Sequence, residues 1–396
     1  MLKSAAMAFQ ICSKRRDFLR FLAASPLVAQ AWAQQNPAAL NRAGDALSVS
    51  DFEAVARGML PPAHLGYLIS GVDDDATLRL NREGFQHFQL RARRLVDVSQ
   101  PDLRTQMFGV PWETPIFLCP VGGQKMFHAE GEVAVARAAK AKKATQILST
   151  VSSSPVEDVA RALGSPPWYQ LYMPVDWEGT EKMVRRVEAA GCPVLVWTVD
   201  LLGGRNTETA ERLRRTDTRN CLSCHTNGVG SLKGRPMLDG IGGGINPAAA
   251  NWAYMDRLRK LTKMKLIIKG IDTAEDARLC LEHGADAVVV SNHGGRATET
   301  LRSTIESLTE VVDAVGRRLP VLVDGGFRRG TDIYKALALG ASAVGIGRPY
   351  IYGLTAFGQE GVERVLDILV AELRRTMQQC GTPRIKDITR AAIKSS

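Results

Sequence analysis

A histidine and an arginine stand three residues apart in the segment Ser291 to Arg296, which reads Ser-Asn-His-Gly-Gly-Arg. The apolar run Ala287 to Val290 precedes them, so both follow a predicted buried strand. Parallel α/β proteins place reactive groups at such strand ends. Histidine titrates near neutral pH, and arginine is a permanent cation that can hold a carboxylate. The pattern predicts a base, His293, beside an anion clamp, Arg296, although a simple polar turn would also explain the hexapeptide alone.

Seven further apolar runs are followed by polar or small residues in the same way. The set comprises Gly122 with Gly123, Ser149, Gln170 with Tyr172, Thr198 with Asp200, Lys269, Asp324 to Arg328, and Gly347 with Arg348. Because the strand ends of a parallel barrel converge on one mouth, these side chains are expected to meet there.

The last two strand ends carry glycines and arginines. Asp324-Gly325-Gly326-Phe327-Arg328 follows the seventh run and Gly345-Ile346-Gly347-Arg348 follows the eighth. Exposed backbone N–H groups of glycines and an arginine form the usual phosphate site of barrels. Glycines also make turns, but the two segments on adjacent strands together predict a phosphate site.

The elements that must position these residues alternate regularly along the chain. Amphipathic helical patterns separate eight short apolar runs, as in an α/β protein. The predicted strands are Pro115 to Pro120, Thr145 to Thr150, Trp168 to Met173, Val194 to Asp200, Leu266 to Gly270, Ala287 to Ser291, Pro320 to Gly326 and Ala343 to Gly347. Eight such units favour a closed (β/α)8 TIM barrel over an open doubly wound sheet.

The N-terminal region has the pattern of an export signal. Lys14 to Arg20 contains a twin arginine, Phe21 to Ala29 is a short apolar stretch, and Ala31-Trp32-Ala33 is a small-x-small cleavage site. We interpret residues 1–33 as a twin-arginine signal peptide and expect a periplasmic protein. A basic amphipathic helix or an uncleaved anchor is the alternative.

Two further regions complete the predicted organisation. Residues 34–110 are expected to form an N-terminal helical lid, with Ser50-Asp51 as the cap of its first helix. Residues 111–396 are expected to form the barrel, with a long loop at 201–251. Loops of that length are usually functional or disordered.

The chain is basic, but the distribution of its charge argues against nucleic-acid binding. The chain has a formal charge of +10 over 396 residues, which falls to +6 without residues 1–33. No basic run with interleaved aromatics remains, and such a run is typical of nucleic-acid binding. The remaining positive charge suits an anionic substrate.

The motif Ser291 to Arg296, together with Leu266 to Gly270 and Asp324 to Asp332, resembles the FMN-dependent 2-hydroxy-acid dehydrogenases and oxidases. This family includes glycolate oxidase, lactate oxidase and dehydrogenase, mandelate dehydrogenase and flavocytochrome b2. The resemblance covers residues from Ser50 to the C-terminus and implies FMN as the cofactor and a homo-oligomer.

The resemblance also implies roles for the site residues. His293 would be the base, Asp200 would stabilise its charged form, and Arg296, Tyr67 and Tyr172 would contact the substrate. Lys269 would stabilise the reduced flavin. The remaining flavin contacts would come from Gly122, Ser149, Gln170, Thr198 and Ser291, with the phosphate held by Asp324, Gly325, Gly326, Arg328, Gly347 and Arg348.

The sequence departs from the family at three positions. The family usually has a second carboxylate arginine shortly after the fourth strand, but the segment Gly203-Gly204-Arg205-Asn206 is shortened here and leaves open whether Arg205 takes that role. Val121 replaces a common threonine, and Ala297-Thr298-Glu299 replaces Gln-Leu-Asp after the arginine. These changes leave the substrate open.

A second cofactor is suggested by Cys221-Leu222-Ser223-Cys224-His225 in the long loop. This is the attachment motif of c-type haem, with Met237 as a conceivable distal ligand. A Cys221–Cys224 disulfide or a metal site completed by other groups are the alternatives.

These features predict an L-lactate dehydrogenase-like enzyme. It would oxidise an L-2-hydroxy acid such as lactate, glycolate or mandelate to the 2-oxo acid. The α-hydrogen would leave to FMN as a hydride or by way of a carbanion, and electrons would pass to a cytochrome c or a quinone. The alternatives are an oxygen-using oxidase that makes hydrogen peroxide and a non-catalytic barrel that binds flavin or a phosphate ligand.

Overall fold

A computed structural model describes residues 40–219 and 234–395. The chain divides into two compact units at Asp45. The described part of the first unit contains a short 3-10 turn, Ala43–Asp45. The second unit, which begins at Ala46, contains the barrel.

Eight parallel strands close into a barrel, as the alternating pattern predicted. In chain order the strands of the molecule begin with three short ones outside the barrel, β1 (Phe88–Leu90), β2 (Thr105–Met107) and β3 (Val110–Trp112). The barrel strands are β4 (Ile116–Leu118), β5 (Thr145–Ser149), β6 (Trp168–Leu171), β7 (Val194–Thr198), β8 (Lys265–Ile271), β9 (Ala287–Val290), β10 (Val321–Val323) and β11 (Ala343–Ile346). Each pairs with its neighbour in sequence, and β11 pairs with β4 to close the ring.

Helices cover the outside of the barrel and alternate with its strands, as the amphipathic patterns between the apolar runs predicted. Those that follow barrel strands are α4 (Gly131–Lys142), α5 (Val156–Leu163), α6 (Trp177–Ala189), α7 (Glu208–Thr216), α8 (Trp252–Leu261), α9 (Ala274–Glu282), α10 (Thr304–Val315), α11 (Gly330–Leu339) and α12 (Arg348–Cys380). Side chains of Asp176 and Thr273 cap α6 and α9 by accepting backbone N–H groups of the first turn. The last helix is broken at Phe357 and Gly358, which have non-helical dihedrals.

Alternate strand residues fill the barrel interior. Phe117, Ile147, Val196, Ile267 and Val289 are all buried in one apolar cluster. Trp112 from the hairpin β2–β3 meets Trp168 with ring centroids 5.4 Å apart. The N-terminal end of the barrel is thus filled by aromatic rings.

Among the described residues, the α-helices that precede the barrel are α1 (Val49–Met59), α2 (Pro62–Ile69) and α3 (Ala76–Glu83). The cap of α1 is Ser48, which forms a capping box with Asp51, so the predicted Ser50-Asp51 cap was wrong by two residues. The carboxylate of Glu299 accepts the N–H groups of Ala76 and Thr77 at 2.6 and 3.1 Å. Glu299, which stands in the segment where the chain departs from the family that it resembles, therefore caps α3 and ties it to the loop after β9.

The connection between β7 and β8 is partly helical. It contains α7 and a short 3-10 turn at Pro236–Leu238, and α7 packs against α2. Cys221, Cys224 and His225 lie outside the described residues, as do residues 1–33. Among the helices of the described residues, none is long and apolar enough to cross a membrane.

Candidate active site

His293 is held between a carboxylate and a phenol. Its Nδ1 lies 3.0 and 3.2 Å from the two oxygens of Asp200, and its Nε2 lies 3.1 Å from the hydroxyl of Tyr172. The three residues follow β9, β7 and β6, so the barrel brings together residues that are far apart in sequence. The backbone of His293 has φ of +59°, a left-handed conformation that non-glycine residues adopt rarely and often at functional sites.

Burial and charge set the protonation of this pair in opposite ways. Burial lowers the pKa of His293, and the attraction of Asp200 only partly reverses that shift. Burial alone would raise the pKa of Asp200, but His293 and Lys269 outweigh it and the net direction is downward. At neutral pH the site therefore holds an ionised Asp200 and a neutral imidazole ready to accept a proton.

Lys269 belongs to a buried polar chain beside the histidine. Its Nζ donates to Ser291 Oγ at 2.7 Å and lies 3.2 Å from Asp324 Oδ2, while Ser291 Oγ donates to Asp324 Oδ1 at 2.6 Å. Burial opposes the positive charge, yet Asp324 and Asp200 raise the pKa of Lys269. The lysine is thus a fixed buried cation.

Cys119 is a member of this chain that the sequence analysis missed. Its Sγ donates to Asp324 Oδ2 at 3.6 Å, and it lines the cavity described below. Burial raises the pKa of its thiol, so the group is protonated. The sequence predicted a strand over Pro115 to Pro120, which includes Cys119, whereas β4 ends at Leu118, so the thiol lies at the strand end with the other site residues.

Arg296 links the barrel to helix α2. Its guanidinium donates to the carbonyls of Tyr67 at 2.5 Å and Ser70 at 2.9 Å, and it lies 4.6 Å from the centre of the Tyr67 ring. Burial lowers the pKa of Arg296 to about 9, which still leaves the guanidinium charged at neutral pH. Tyr67 and Arg296 are therefore positioned together, as the resemblance implied.

Gly325, Gly326 and Gly347 of the predicted phosphate site line one cavity, but one arginine of that site is engaged elsewhere. A Cβ at Gly326 would lie 2.0 Å from the Asn81 carbonyl, so α3 approaches this loop too closely for a side chain, whereas a Cβ at Gly347 would meet no atom closer than 3.9 Å. Arg328 belongs to the same loop and also lines the cavity described below. Arg348 donates to the carbonyls of Leu68, Gly294 and Ser70 at 2.7, 2.8 and 2.9 Å. To meet a phosphate, Arg348 would have to give up at least some of these contacts.

Two buried polar atoms at the mouth have no hydrogen-bond partner, namely Gln170 Nε2 and Thr198 Oγ1. Gln170 is fixed by Ser149, whose hydroxyl donates to its Oε1 at 3.1 Å, and Thr198 lies beside Lys269 in the pairing of β7 with β8. An unpaired buried donor is costly, so these atoms indicate a polar ligand. The amide of Gln170, the hydroxyl of Thr198 and the ammonium of Lys269 together fit the polar edge of the FMN ring.

One cavity collects most of the predicted residues. Its lining includes Tyr67, Lys269, His293, Arg296, Asp324, Gly325, Gly326, Arg328, Gly347 and Arg348. Asp200, Tyr172 and Ser291 join it through the hydrogen bonds already described. Gly122 is packed against Val151 and lies near Ser149. Arg205 is exposed, is absent from the lining, and donates to the carbonyl of Arg296 at 3.3 Å.

Met237 is not placed to ligate a haem. It is 1% exposed, and its Sδ accepts the backbone N–H of Val156 at 3.3 Å. Among the described residues, no group of three His, Cys, Asp or Glu side chains is arranged to hold a metal ion.

Comparisons with known proteins find relatives that match most of the chain. The family model of the FMN-dependent dehydrogenases matches residues 56–395. A peroxisomal (S)-2-hydroxyacid oxidase of Arabidopsis thaliana is 39% identical over 351 residues, which are 88% of this chain and 96% of the relative.

Two solved structures are also similar. A mandelate oxidase variant with (S)-mandelic acid has a TM-score of 0.79 at 34% identity, over 89% of this chain and 98% of its own. A soluble mutant of the membrane-associated (S)-mandelate dehydrogenase from Pseudomonas putida has a TM-score of 0.81 at 35% identity, over 89% and 100%.

Proposed function

The chain belongs to the family of FMN-dependent dehydrogenases, and from this premise we propose that it oxidises an L-2-hydroxy acid to the 2-oxo acid with oxygen as the electron acceptor. The observation that carries the reaction type is His293, held between Asp200 and Tyr172 beside the buried Arg296. A base and a carboxylate clamp at one mouth are what a 2-hydroxy acid requires.

The side chains divide the work as follows. Arg296 binds the substrate carboxylate, with Tyr67 beside it, and the Nε2 of His293 accepts the proton of the substrate hydroxyl. Asp200 stabilises the imidazolium that results, and Tyr172 orients the hydroxyl. When bound, FMN supplies the redox chemistry by accepting two electrons and the α-hydrogen.

A second group of residues at the mouth would stabilise reduced FMN. Lys269 is a buried cation that is kept in place by Asp324 and Ser291, and it would lie beside the FMN ring together with Gln170 and Thr198. The main-chain N–H groups near Gly325, Gly326 and Gly347 would hold the phosphate, with Arg328 as a counter-ion.

The choice of oxygen as the electron acceptor is based on the names of the relatives. Several curated relatives are named 2-hydroxyacid oxidases, and this supports oxygen over the cytochrome or quinone that the sequence analysis favoured. Similarity to an (S)-mandelate dehydrogenase keeps a dehydrogenase as the second candidate. Lactate dehydrogenase-like specificity stays a prediction, with glycolate and mandelate as the other candidates.

An acceptor assay tests this proposal. The FMN-loaded enzyme is supplied with L-lactate, glycolate or (S)-mandelate in air, and 2-oxo acid and hydrogen peroxide are both quantified. We expect equal amounts of the two products. Turnover that needs an added dye, quinone or cytochrome c and yields no peroxide would identify a dehydrogenase, and absence of any 2-oxo acid would identify a non-catalytic flavin-binding barrel.

Export and haem attachment are separate proposals based on sequence motifs alone. We expect a periplasmic protein cleaved after Ala33, with haem c on Cys221 and Cys224 and His225 as its ligand. Intact mass of protein purified from a periplasm with haem-attachment machinery tests both proposals, with Cys221→Ser and Cys224→Ser as controls. A mass equal to the polypeptide alone refutes haem attachment and leaves the flavin chemistry untouched.

A homo-oligomer is also proposed, because members of the family often assemble into tetramers. Light scattering of the purified holoenzyme gives the mass in solution. A strictly monomeric mass at all concentrations would contradict this proposal.

A further inference from the structure

Arg235 is a cation that neither the proposed chemistry nor the resemblance uses. It lies in the connection between β7 and β8. The two residues that follow it, Pro236 and Met237, are both held by contacts with other parts of the chain. The carbonyl of Pro236 accepts a hydrogen bond from Arg186 at 2.7 Å, and Met237 is buried with its Sδ on the N–H of Val156. The position of Arg235 is therefore fixed by its neighbours.

The guanidinium of Arg235 lies on Gly123 at the exit of β4. A Cβ on Gly123 would be 2.8 Å from Nη1 and 3.1 Å from Nη2 of Arg235, and Gly123 has φ of +62°. Gly123 is two residues beyond Val121, which lines the cavity that contains His293. The glycine thus leaves room for a cation beside the segment that follows this part of the cavity lining.

No acidic side chain of the described residues pairs with this cation. The Nε of Arg235 is buried and has no hydrogen-bond partner. The buried carboxylate of Glu132, eight residues beyond Gln124, is instead occupied by the N–H groups of Gln124 and Ser153 and by the hydroxyl of Ser154. A partly buried charge without a counter-ion is unfavourable, so the site is suited to an anion from outside the described chain.

Arg235 and Arg296 approach the mouth of the barrel from different strands. Arg296 follows β9, whereas Arg235 lies at the exit of β4, and the barrel order places β10 and β11 between these strands. Arg296 is also held by the carbonyls of Tyr67 and Ser70, to which Arg235 makes no hydrogen bond. The two cations are therefore available to two different anionic groups.

We propose that Arg235 binds a second anionic group of the substrate, so that the preferred substrates are 2-hydroxy acids whose side chain ends in a carboxylate. This inference rests on the proposed function, because it takes Arg296 as the clamp for the carboxylate next to the reacting carbon. Arg235 determines specificity and takes no part in the transfer of the hydrogen.

The test compares acids that differ only in the terminal carboxylate. The holoenzyme is assayed with L-2-hydroxypentanoate and L-2-hydroxypentanedioate, and with the matched pairs one carbon shorter and longer. The variants are Arg235→Gln and Arg235→Lys, with Arg212→Gln as control, since Arg212 is an exposed arginine paired with Glu208 on α7. Flavin content and the visible spectrum show whether each variant is folded and loaded.

We expect the parent enzyme to prefer one diacid over its monoacid in kcat/KM. Arg235→Gln should remove roughly 10- to 100-fold of kcat/KM for the diacid, as expected for a charge-assisted hydrogen bond, with the monoacid unaffected. Arg235→Lys should keep part of the preference, and Arg212→Gln all of it. Binding of the corresponding 2-oxo diacid, measured as a change in the flavin spectrum, should be weakened in Arg235→Gln to a similar extent.

Two results would overturn the inference. One is a parent enzyme without preference for any diacid, and the other is an equal loss for both acids in Arg235→Gln. The proposed function fails in a different way, because then neither monoacids nor diacids reduce the flavin of the parent enzyme, and the inference falls with it.

Discussion

His293 offers only one of its two ring nitrogens to a substrate. Its Nδ1 is engaged by Asp200, and its Nε2 lies beside the hydroxyl of Tyr172 at the mouth of the barrel. An ionised Asp200 favours the tautomer with the proton on Nδ1, which leaves Nε2 as the acceptor. The geometry therefore assigns the proton transfer to one atom.

Replacement of His293 by alanine tests this assignment. We expect His293→Ala to bind FMN as the parent does, because the flavin contacts come from other strand ends. Its kcat should fall by about 10^2- to 10^4-fold, the usual contribution of a general base. Stopped-flow reduction of the flavin measures this step directly, and a variant with parental rates would show that His293 is structural.

The pH dependence of kcat/KM gives a second test at this scale. The base must be neutral, so activity falls as the pH drops through the pKa of His293, and burial places that acid limb below the ordinary value of 6.5. Asp200 raises the pKa of His293, so in Asp200→Asn the limb should move to still lower pH while kcat decreases. An unchanged or upward-shifted limb would contradict the pairing of these residues.

At the scale of elements, the contact between α2 and α7 positions the lid. Gly66 of α2 lies against α7 so closely that a Cβ would be 3.1 Å from the Cα and the carbonyl of Ala210. Its neighbour Tyr67 contacts Arg296. The glycine thus allows α2 to approach α7 and hold Tyr67 over the site.

A larger residue at Gly66 should disturb substrate binding. Gly66→Val is expected to push α2 away from α7, at a cost of about 1–3 kcal/mol for overpacking, and to raise KM with FMN content retained. Gly58→Ala is the matched control, because no atom lies within 4 Å of a Cβ at Gly58 on α1. Thermal unfolding measures the stability of both variants, and steady-state kinetics measures their KM. A parental KM in Gly66→Val would contradict the claim that the packing of α2 against α7 positions Tyr67.

The barrel strands could be predicted from sequence because each is a short apolar run with a polar end. The same pattern located Lys269, His293 and Asp324, since strand ends must converge in a closed barrel. Contacts that depend on the path taken by the loops between strands and helices could not be predicted in this way. Arg235 meets Gly123 across 112 positions of the chain, and Arg348 turns to the carbonyls of α2.

At the scale of the whole molecule, eight strand ends and the lid supply a single site. The lid contributes Tyr67 and the carbonyls that hold Arg296, the barrel contributes the base and the buried lysine, and the glycine loops contribute the phosphate site. Because the parts come from distant segments, the site forms only in the folded chain. The central claim is that this site oxidises a 2-hydroxy acid at a bound flavin.

Anaerobic titration of the FMN-loaded protein tests that claim most directly. The absorbance of the oxidised flavin is followed as L-lactate, glycolate, (S)-mandelate or an L-2-hydroxy diacid is added without oxygen, with the corresponding D-acids as controls for the chiral substrates. We predict that at least one L-acid bleaches the flavin, that one 2-oxo acid forms per flavin reduced, and that His293→Ala loaded with FMN shows no rapid bleaching. A fully loaded protein whose flavin stays oxidised with every one of these acids would contradict the account.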